Sequence, residues 1–155
     1  MLKIDGIKEL TETLKTVSPA EGTRIARRVV VRIARDARDK ARQRAPVGAT
    51  GNLRRSIKSR RRRGKPGWAE SEVYADRSGG KTGLGYHWHL VEFGTGPRTT
   101  KGGKSTGSMP AQPFITPTVE EERPRTPAVY RNLWWPEFRK EMIKRAKRQA
   151  ARQKR

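Results

Sequence analysis

Residues 18–46 have the sequence SPAEGTRIARRVVVRIARDARDKARQRAP, and no other segment specifies its secondary structure so fully. It opens with a serine, a proline at the first helical position and a glutamate three residues after the serine, the pattern of a capping box. Apolar residues recur every four positions from Ile25 to Ala41, until Ala45-Pro46 ends the pattern. The sequence therefore predicts an amphipathic helix over about 19–44, roughly 39 Å long.

The polar face of this helix is strongly basic. It carries nine Arg and Lys residues and only two acids, Asp36 and Asp39, so it is either solvated or turned toward a polyanion.

A second, shorter helix is predicted upstream. Over residues 4–14, apolar residues recur every three or four positions and predict an amphipathic helix. We expect this short helix to pack on the next element.

The middle of the chain carries strand and turn signals. Residues 53–75 predict a β-hairpin, because Gly64-Lys65-Pro66-Gly67 forms a turn signal between two segments of strand character. Residues 86–93 are rich in aromatic and apolar side chains and are interpreted as a strand, although their spacing also suits two helical turns. Residues 94–110 are rich in Thr, Gly, Ser and Lys, and predict a mobile loop.

The C-terminal part is predicted to be helical and strongly basic. Prolines predict an extended segment over residues 110–117, and a helical pattern from about residue 118 that breaks near Pro124, Pro127 and Pro136. The overall prediction is an α+β fold in which the long helix packs on a small antiparallel sheet. Residues 1–123 form a single domain, and residues 124–155 form a basic helical extension.

Composition predicts a small hydrophobic core. Leu, Ile, Val and Phe make up 26 of 155 residues, while 37 Lys and Arg face 15 Asp and Glu, for a formal net charge of +22. Low aliphatic content with high charge is typical of partial disorder or of a subunit that its neighbours complete. We therefore expect basic arms on a modest core.

The residue inventory disfavours catalysis and metal binding. The chain has no Cys and only two His, so disulfides, thiolate zinc sites and cysteine nucleophiles are excluded. His87 and His89 would share one face of the predicted strand near Glu92, as a metal site or an acid–base pair would require. Packing within a half-buried strand is the better interpretation of both histidines. We expect no catalytic residue, no cofactor and no metal. Without a membrane span or a signal-peptide core, the expected protein is soluble and made in a cytoplasm.

Two groups of basic residues are candidate contacts with nucleic acid or acidic partner proteins: Arg60, Arg61, Arg62, Arg63, Lys144, Arg145, Lys147 and Arg148. A charge of this size attracts a phosphate backbone by counterion release whatever the fold. No zinc finger, RNA-recognition aromatic motif or basic zipper is visible, so contact with DNA would be independent of sequence. Acidic subunits are the alternative partners, and the sequence leaves the choice open.

Three motifs resemble a known family. Ala45-Pro46-Val47-Gly48 leads to a block from Thr50-Gly51-Asn52-Leu53 to Ser56-Ile57, Tyr86 precedes Val91-Glu92-Phe93-Gly94-Thr95, and Gln112-Pro113-Phe114 precedes Pro117-Thr118. Their order and spacing resemble the neck and tail-completion (head-tail joining) proteins of long-tailed double-stranded DNA bacteriophages. That family usually has alanine where this chain has Thr118.

The resemblance implies a noncatalytic virion protein at the neck, made in the host cytoplasm, that assembles as a homo-oligomeric ring. Implied partners are the head connector or head-closure protein, the tail terminator or tail tube protein and, without sequence preference, packaged DNA; no membrane is implied. The residues implied in the fold or subunit interface are Thr50, Gly51, Leu53, Glu92, Phe93, Gly94, Thr95, Pro113 and Phe114.

The sequence leaves three alternatives undecided. Phe114 either anchors a stiff arm on a neighbour or fills the core of its own subunit. Glu92 pairs with an arginine, either across a subunit boundary or within the fold. A general basic DNA-binding protein without any role in the virion is the competing function.

Overall fold

The computed structural model describes residues 17–63, 65, 67–78 and 84–153. The short helix predicted at residues 4–14 lies outside the described residues. The described residues form an α+β fold, as predicted: a long helix, two small antiparallel sheets and a long C-terminal helix.

The long helix α1 (Pro19–Arg44) has the predicted bounds. The Ser18 hydroxyl accepts a hydrogen bond from the Glu21 backbone N–H at 3.3 Å, and the Ser18 N–H donates to the Glu21 carboxylate at 3.1 Å. These reciprocal bonds satisfy two backbone donors that a helix start leaves unpaired. The apolar stripe is buried at Ile25 and Val29, so the pattern in the sequence identified both the helix and its inner face.

The predicted hairpin is present, but it begins later than residue 53. A short helix α2 (Asn52–Ser56) precedes strand β1 (Ile57–Arg61), which pairs antiparallel with strand β2 (Ser71–Ala75). Gly51 has φ 62°, a left-handed conformation that glycine adopts without steric cost, and it turns the chain into α2. One helical turn then carries Leu53 into the core.

The strand predicted over residues 86–93 is wrong, because all but the first two residues of that segment form the helix α3 (Trp88–Phe93). Helical spacing places Trp88, Val91 and Glu92 on one side of the element. In a strand, Val91 would lie on the face opposite to Trp88 and Glu92. Trp88 and Val91 pack against the core and Glu92 is buried. The helical alternative, which the spacing had left open, is the correct one.

The segment predicted as a loop over residues 94–110 contains a second hairpin. Strand β3 (Thr95–Thr99) pairs antiparallel with strand β4 (Ser105–Met109), and its register shifts beside Arg98. The strands are mostly exposed and lack large apolar side chains except Met109, so no alternation of apolar residues marked them. Backbone pairing, which composition does not reveal, forms this sheet.

The C-terminal helix α4 (Thr116–Gln153) continues through Pro124, Pro127 and Pro136. The breaks predicted at these prolines are therefore wrong. All three prolines are exposed, and contacts with α1 hold the helix along its length. Arg44 pairs with Glu121 near one end and Arg28 with Glu141 toward the other, so the two helices are antiparallel.

The core is as small as composition predicts. Among the described residues it consists of Phe114, Ile57, Leu53 and alanines of α1, together with Ile25, Val29 and Phe138 between the two long helices. The Phe138 ring stacks on Trp134 with centroids 5.0 Å apart. Few large side chains are therefore available to stabilise an isolated subunit.

Candidate partner-binding surfaces

Glu92 joins the short helix α3 to the start of α4. Its side chain is 2% exposed, and its carboxylate accepts hydrogen bonds from the backbone N–H groups of three successive residues: Phe114 at 2.8 Å, Ile115 at 3.0 Å and Thr116 at 2.7 Å. The carboxylate also sits at the positive end of the helix dipole. Within the described residues Glu92 does not pair with an arginine, since its partners are backbone amides. The pairing across a subunit boundary stays a prediction.

The environment of Glu92 holds its carboxylate in the charged form. Burial by itself raises the pKa of Glu92, but the N–H donors of Ile115, Phe114 and Thr116 outweigh it and lower the pKa below its ordinary value. The negative charge is therefore part of the folded structure.

Gly94 and Thr95 follow Glu92 and fix the path of β3. Gly94 has φ 72°, and a Cβ atom there would lie 2.8 Å from both the Ala111 nitrogen and the Met109 carbonyl oxygen. The Thr95 hydroxyl accepts a hydrogen bond from the Met109 N–H at 3.0 Å. Only glycine fits this close approach without a backbone shift.

The remaining motif residues divide between the core and the surface. Phe114 is fully buried against Ala45, Leu53 and Ile57, so it fills the core of its own subunit rather than extending to a neighbour. Thr50 and Pro113 are exposed.

An apolar surface lies beside these motifs. The side chains of Phe93 and Val47 are 70% and 61% exposed. A cavity of about 360 Å³ is lined by Val47, Thr50, Leu53, His87, Val91 and Met109, among others. We call Val47, Phe93 and this cavity the motif face. Exposed apolar side chains beside a cavity are typical of a surface that binds another protein.

The arginines of the first hairpin have different partners because side chains alternate along a strand. Arg60 pairs with Glu72 at 2.6 Å and lies over the Tyr74 ring at 4.5 Å. Arg62 contacts the same carboxylate at 3.4 Å. Arg61 instead lies beside α1, and Arg63 makes no ion pair within the described part of the chain.

A groove between α1 and the first hairpin collects further arginines. One part, of about 570 Å³, is lined by Glu21, Arg24, Arg27, Arg28 and Arg61, and an adjoining part of about 230 Å³ by Arg35, Arg61 and Ser71. Arg61 and Val31 line both parts. We call this surface the basic groove.

The basic residues predicted near the C-terminus lie at the end of α4. Arg145 contacts Glu21 at 3.7 Å, whereas Lys144, Lys147 and Arg148 are exposed. None of these four residues lines the basic groove, and Arg145 reaches it only through its contact with Glu21 at the end of the groove.

No chemical site emerges from the histidines. His87 precedes α3 and His89 lies within its first turn, so they do not share a strand face as expected. Within the described ranges, no group of three or more His, Cys, Asp or Glu side chains is placed to hold a metal ion. Among the described residues, no helix combines the length and the hydropathy that a membrane span requires.

Sequence reasoning missed the ion pairs between the two long helices. Glu141 is 2% exposed and accepts from Arg24 at 2.8 Å and Arg28 at 2.9 Å. The hydrogen bond from Arg28 is the main cause of the lowered pKa of Glu141. It outweighs burial, which by itself would raise this pKa. One signal was available, because Glu141 is the sole acid among residues 139–155.

A model of a known protein family matches the chain. The model of the HK97-gp10-like family, described as "Bacteriophage HK97-gp10, putative tail-component", matches residues 8–94, which is more than half of the chain. No curated protein sequence and no solved structure shows significant similarity. The matched range contains α1, the first hairpin, α3 and Glu92, but it ends before Phe114 and α4.

Proposed function

Because the chain belongs to the HK97-gp10-like family of phage tail components, we propose that it is a structural protein of the phage neck. In this role it completes the tail, or joins head to tail, as a ring of identical subunits between the head connector and the tail tube. The family match carries the proposal, since it covers the first of the three motifs that resemble neck proteins and all of the second except Thr95. The protein acts by assembly and has no catalytic role.

The motif face supports the ring. The core is small, yet the side chains of Val47 and Phe93 are mostly exposed. Val47 lines an open cavity, and Phe93 ends the helix α3 whose Val91 lines the same cavity. Burying such side chains is worth about 25 cal/mol per Å² of apolar area, which a neighbouring subunit can provide. We therefore place the subunit contact of the ring at the motif face, with the head-closure, tail terminator or tail tube proteins above and below.

Particle composition tests the proposal directly. In particles purified from infected cells, the protein is expected in a fixed copy number, and imaging is expected to place it at the head–tail junction. Its absence from particles would leave the competing function, a basic DNA-binding protein without a virion role. That alternative is favoured by the net charge of +22 and by the basic groove.

The ring contact has its own experiment. Val47→Ser with Phe93→Ser is expected to reduce incorporation into particles and self-association measured by native mass spectrometry, because both side chains are exposed in the subunit. Val119→Ser with Ile143→Ser is the matched control, since these exposed apolar side chains lie on α4. Equal loss of incorporation in both double variants would contradict the placement of the interface.

A further inference from the structure

We propose that the basic groove binds the phosphate backbone of duplex DNA without sequence preference, through Arg27, Arg35 and Arg61. The proposal deepens the proposed function by assigning one surface of the subunit to DNA, and its biological setting rests on that function. The groove itself is defined by α1 and the first hairpin.

The carboxylates around the groove already have partners. Glu72 is paired with Arg60 and Arg62, while Glu137 and Glu141 are paired with Arg28. Glu21, at the end of the groove, is held by the cap of α1 and by Arg145.

The three proposed contact residues have no such partner. The side chains of Arg27, Arg35 and Arg61 make no hydrogen bond or ion pair with any described residue. Their charges are therefore available to an external anion. These side chains have no internal bond to break when a phosphate binds them, whereas Arg28 would have to leave Glu141.

The geometry suits an extended anion. Arg27 and Arg35 are separated by two turns of α1, or about 12 Å at 1.5 Å per residue. Arg61 comes from β1 and lines both parts of the groove. Because duplex DNA carries one charge for about each 1.7 Å of its axis, a surface of this length faces several phosphates.

Ser71 supplies a second, independent observation. Its hydroxyl oxygen is buried and has no hydrogen-bond partner among the residues that the structure describes. It lies in the part of the groove that Arg35 and Arg61 line. A buried polar group without a partner is costly, and serine hydroxyls commonly contact phosphate oxygens. In the proposed complex, a phosphate bound in this part of the groove accepts the hydrogen bond that Ser71 lacks.

The lining of the groove favours DNA over an acidic protein. The centre of a protein interface usually contains aromatic or large apolar anchors. Here the uncharged lining residues are Ala20, Val31, Ala34, Ser59 and Ser71, none of which is aromatic. Phosphate contacts need only cations and donors, which is what the groove provides.

The experiment compares two triple variants with the full-length protein. Arg27→Gln, Arg35→Gln and Arg61→Gln are combined in the groove variant. The matched control combines Arg98→Gln, Arg131→Gln and Arg139→Gln, which lie on β3 and α4, are exposed and make no ion pair within the described ranges. Both variants remove three charges, so a general loss of positive charge affects them equally. Binding to a random-sequence 30-base-pair duplex is measured by fluorescence anisotropy from 50 to 300 mM NaCl.

The groove variant is expected to bind at least about tenfold more weakly at 100 mM NaCl, with the slope of log K against log salt reduced by about 2 to 3. The control is expected to keep a slope within about 1 of the wild type. Unchanged circular dichroism and melting temperature would show that both variants fold.

Three outcomes overturn the proposal. Equal losses in both triple variants would show that DNA responds only to diffuse charge, and a wild-type protein that does not bind the duplex at 50 mM NaCl would remove DNA as the partner. DNA binding retained by the groove variant, with loss of an acidic protein partner, would assign the groove to that protein. Particle composition tests the virion role separately, so the two failures are distinguishable.

Discussion

Charged side chains are paired at one site of the molecule and unpaired at another. At the contact between Glu92 and the start of α4, which we call the junction, one buried carboxylate accepts hydrogen bonds from three backbone N–H groups of the same subunit. In the basic groove, the side chains of Arg27, Arg35 and Arg61 make no hydrogen bond or ion pair with any described residue. The difference teaches that motif residues can serve the fold, while residues outside any motif remain available to partners.

The largest expected effect comes from the core of the junction. Phe114→Ala is expected to lower the free energy of unfolding by about 3–5 kcal/mol, because the ring is fully buried in a small apolar core with Ala45, Leu53 and Ile57. Urea unfolding followed by circular dichroism measures it. Ile143→Ala is the control, since its side chain is 56% exposed, and it is expected to cost less than about 1 kcal/mol. Similar losses in the two variants would contradict the internal role of Phe114.

A smaller effect on the free energy of unfolding is expected when Glu92 is replaced, and this effect depends on pH. The folded protein lowers the pKa of Glu92 below its ordinary value of 4.5. Its stabilising contribution is therefore complete above about pH 5 and is lost as the pH falls through the lowered pKa. Glu92→Gln is expected to cost about 2 kcal/mol at pH 7, because charge-assisted bonds to three N–H groups are weakened.

The control for this prediction is Glu70→Gln, an exposed carboxylate on the first hairpin. Melting temperatures of the wild type and both variants are measured from pH 7 to pH 3. The difference between the wild type and Glu92→Gln should shrink as the medium becomes acidic, while Glu70→Gln should follow the wild type throughout. A difference that is constant with pH would show that Glu92 does not act through its charge.

The smallest effect on stability is expected in the groove. Ser71→Ala removes a buried hydroxyl that has no partner among the described residues, so unfolding free energy should stay within about 0.5 kcal/mol of the wild type or increase. The same variant should bind duplex DNA about two- to fivefold more weakly. Chemical denaturation and anisotropy measure the two quantities, and Ser59→Ala, from the same part of the groove, is the control. A clear loss of stability would show that Ser71 is satisfied within the fold.

Sequence reasoning succeeded where local signals were complete. The helix Pro19–Arg44 was predicted with its bounds, because its cap, its apolar stripe and its terminating proline lie within one continuous segment. It failed for α3, where both periodicities fitted and tertiary burial of Trp88 and Glu92 decides. The second hairpin was missed because its strands carry almost no apolar side chains.

The candidate surfaces were predicted only in part. The run of arginines from Arg60 to Arg63 was identified, but the sequence could not show that Arg60 and Arg62 share Glu72 while Arg61 faces α1. These partners depend on strand register, which fixes the side of the sheet to which each side chain points. The partners of Glu92 could not be predicted for a different reason. Every residue type except proline has a backbone N–H group, so the residue types do not show which of these donors a carboxylate will meet.

The use of backbone donors at Glu92 also separates where the C-terminal helix begins from where it points. The carboxylate meets N–H groups, which every residue except proline possesses, so this contact does not depend on the side chains of Ile115 and Thr116. The direction of α4 is held elsewhere, by its ion pairs with α1. Substitutions in the first turn and substitutions farther along the helix therefore act on different parts of its placement.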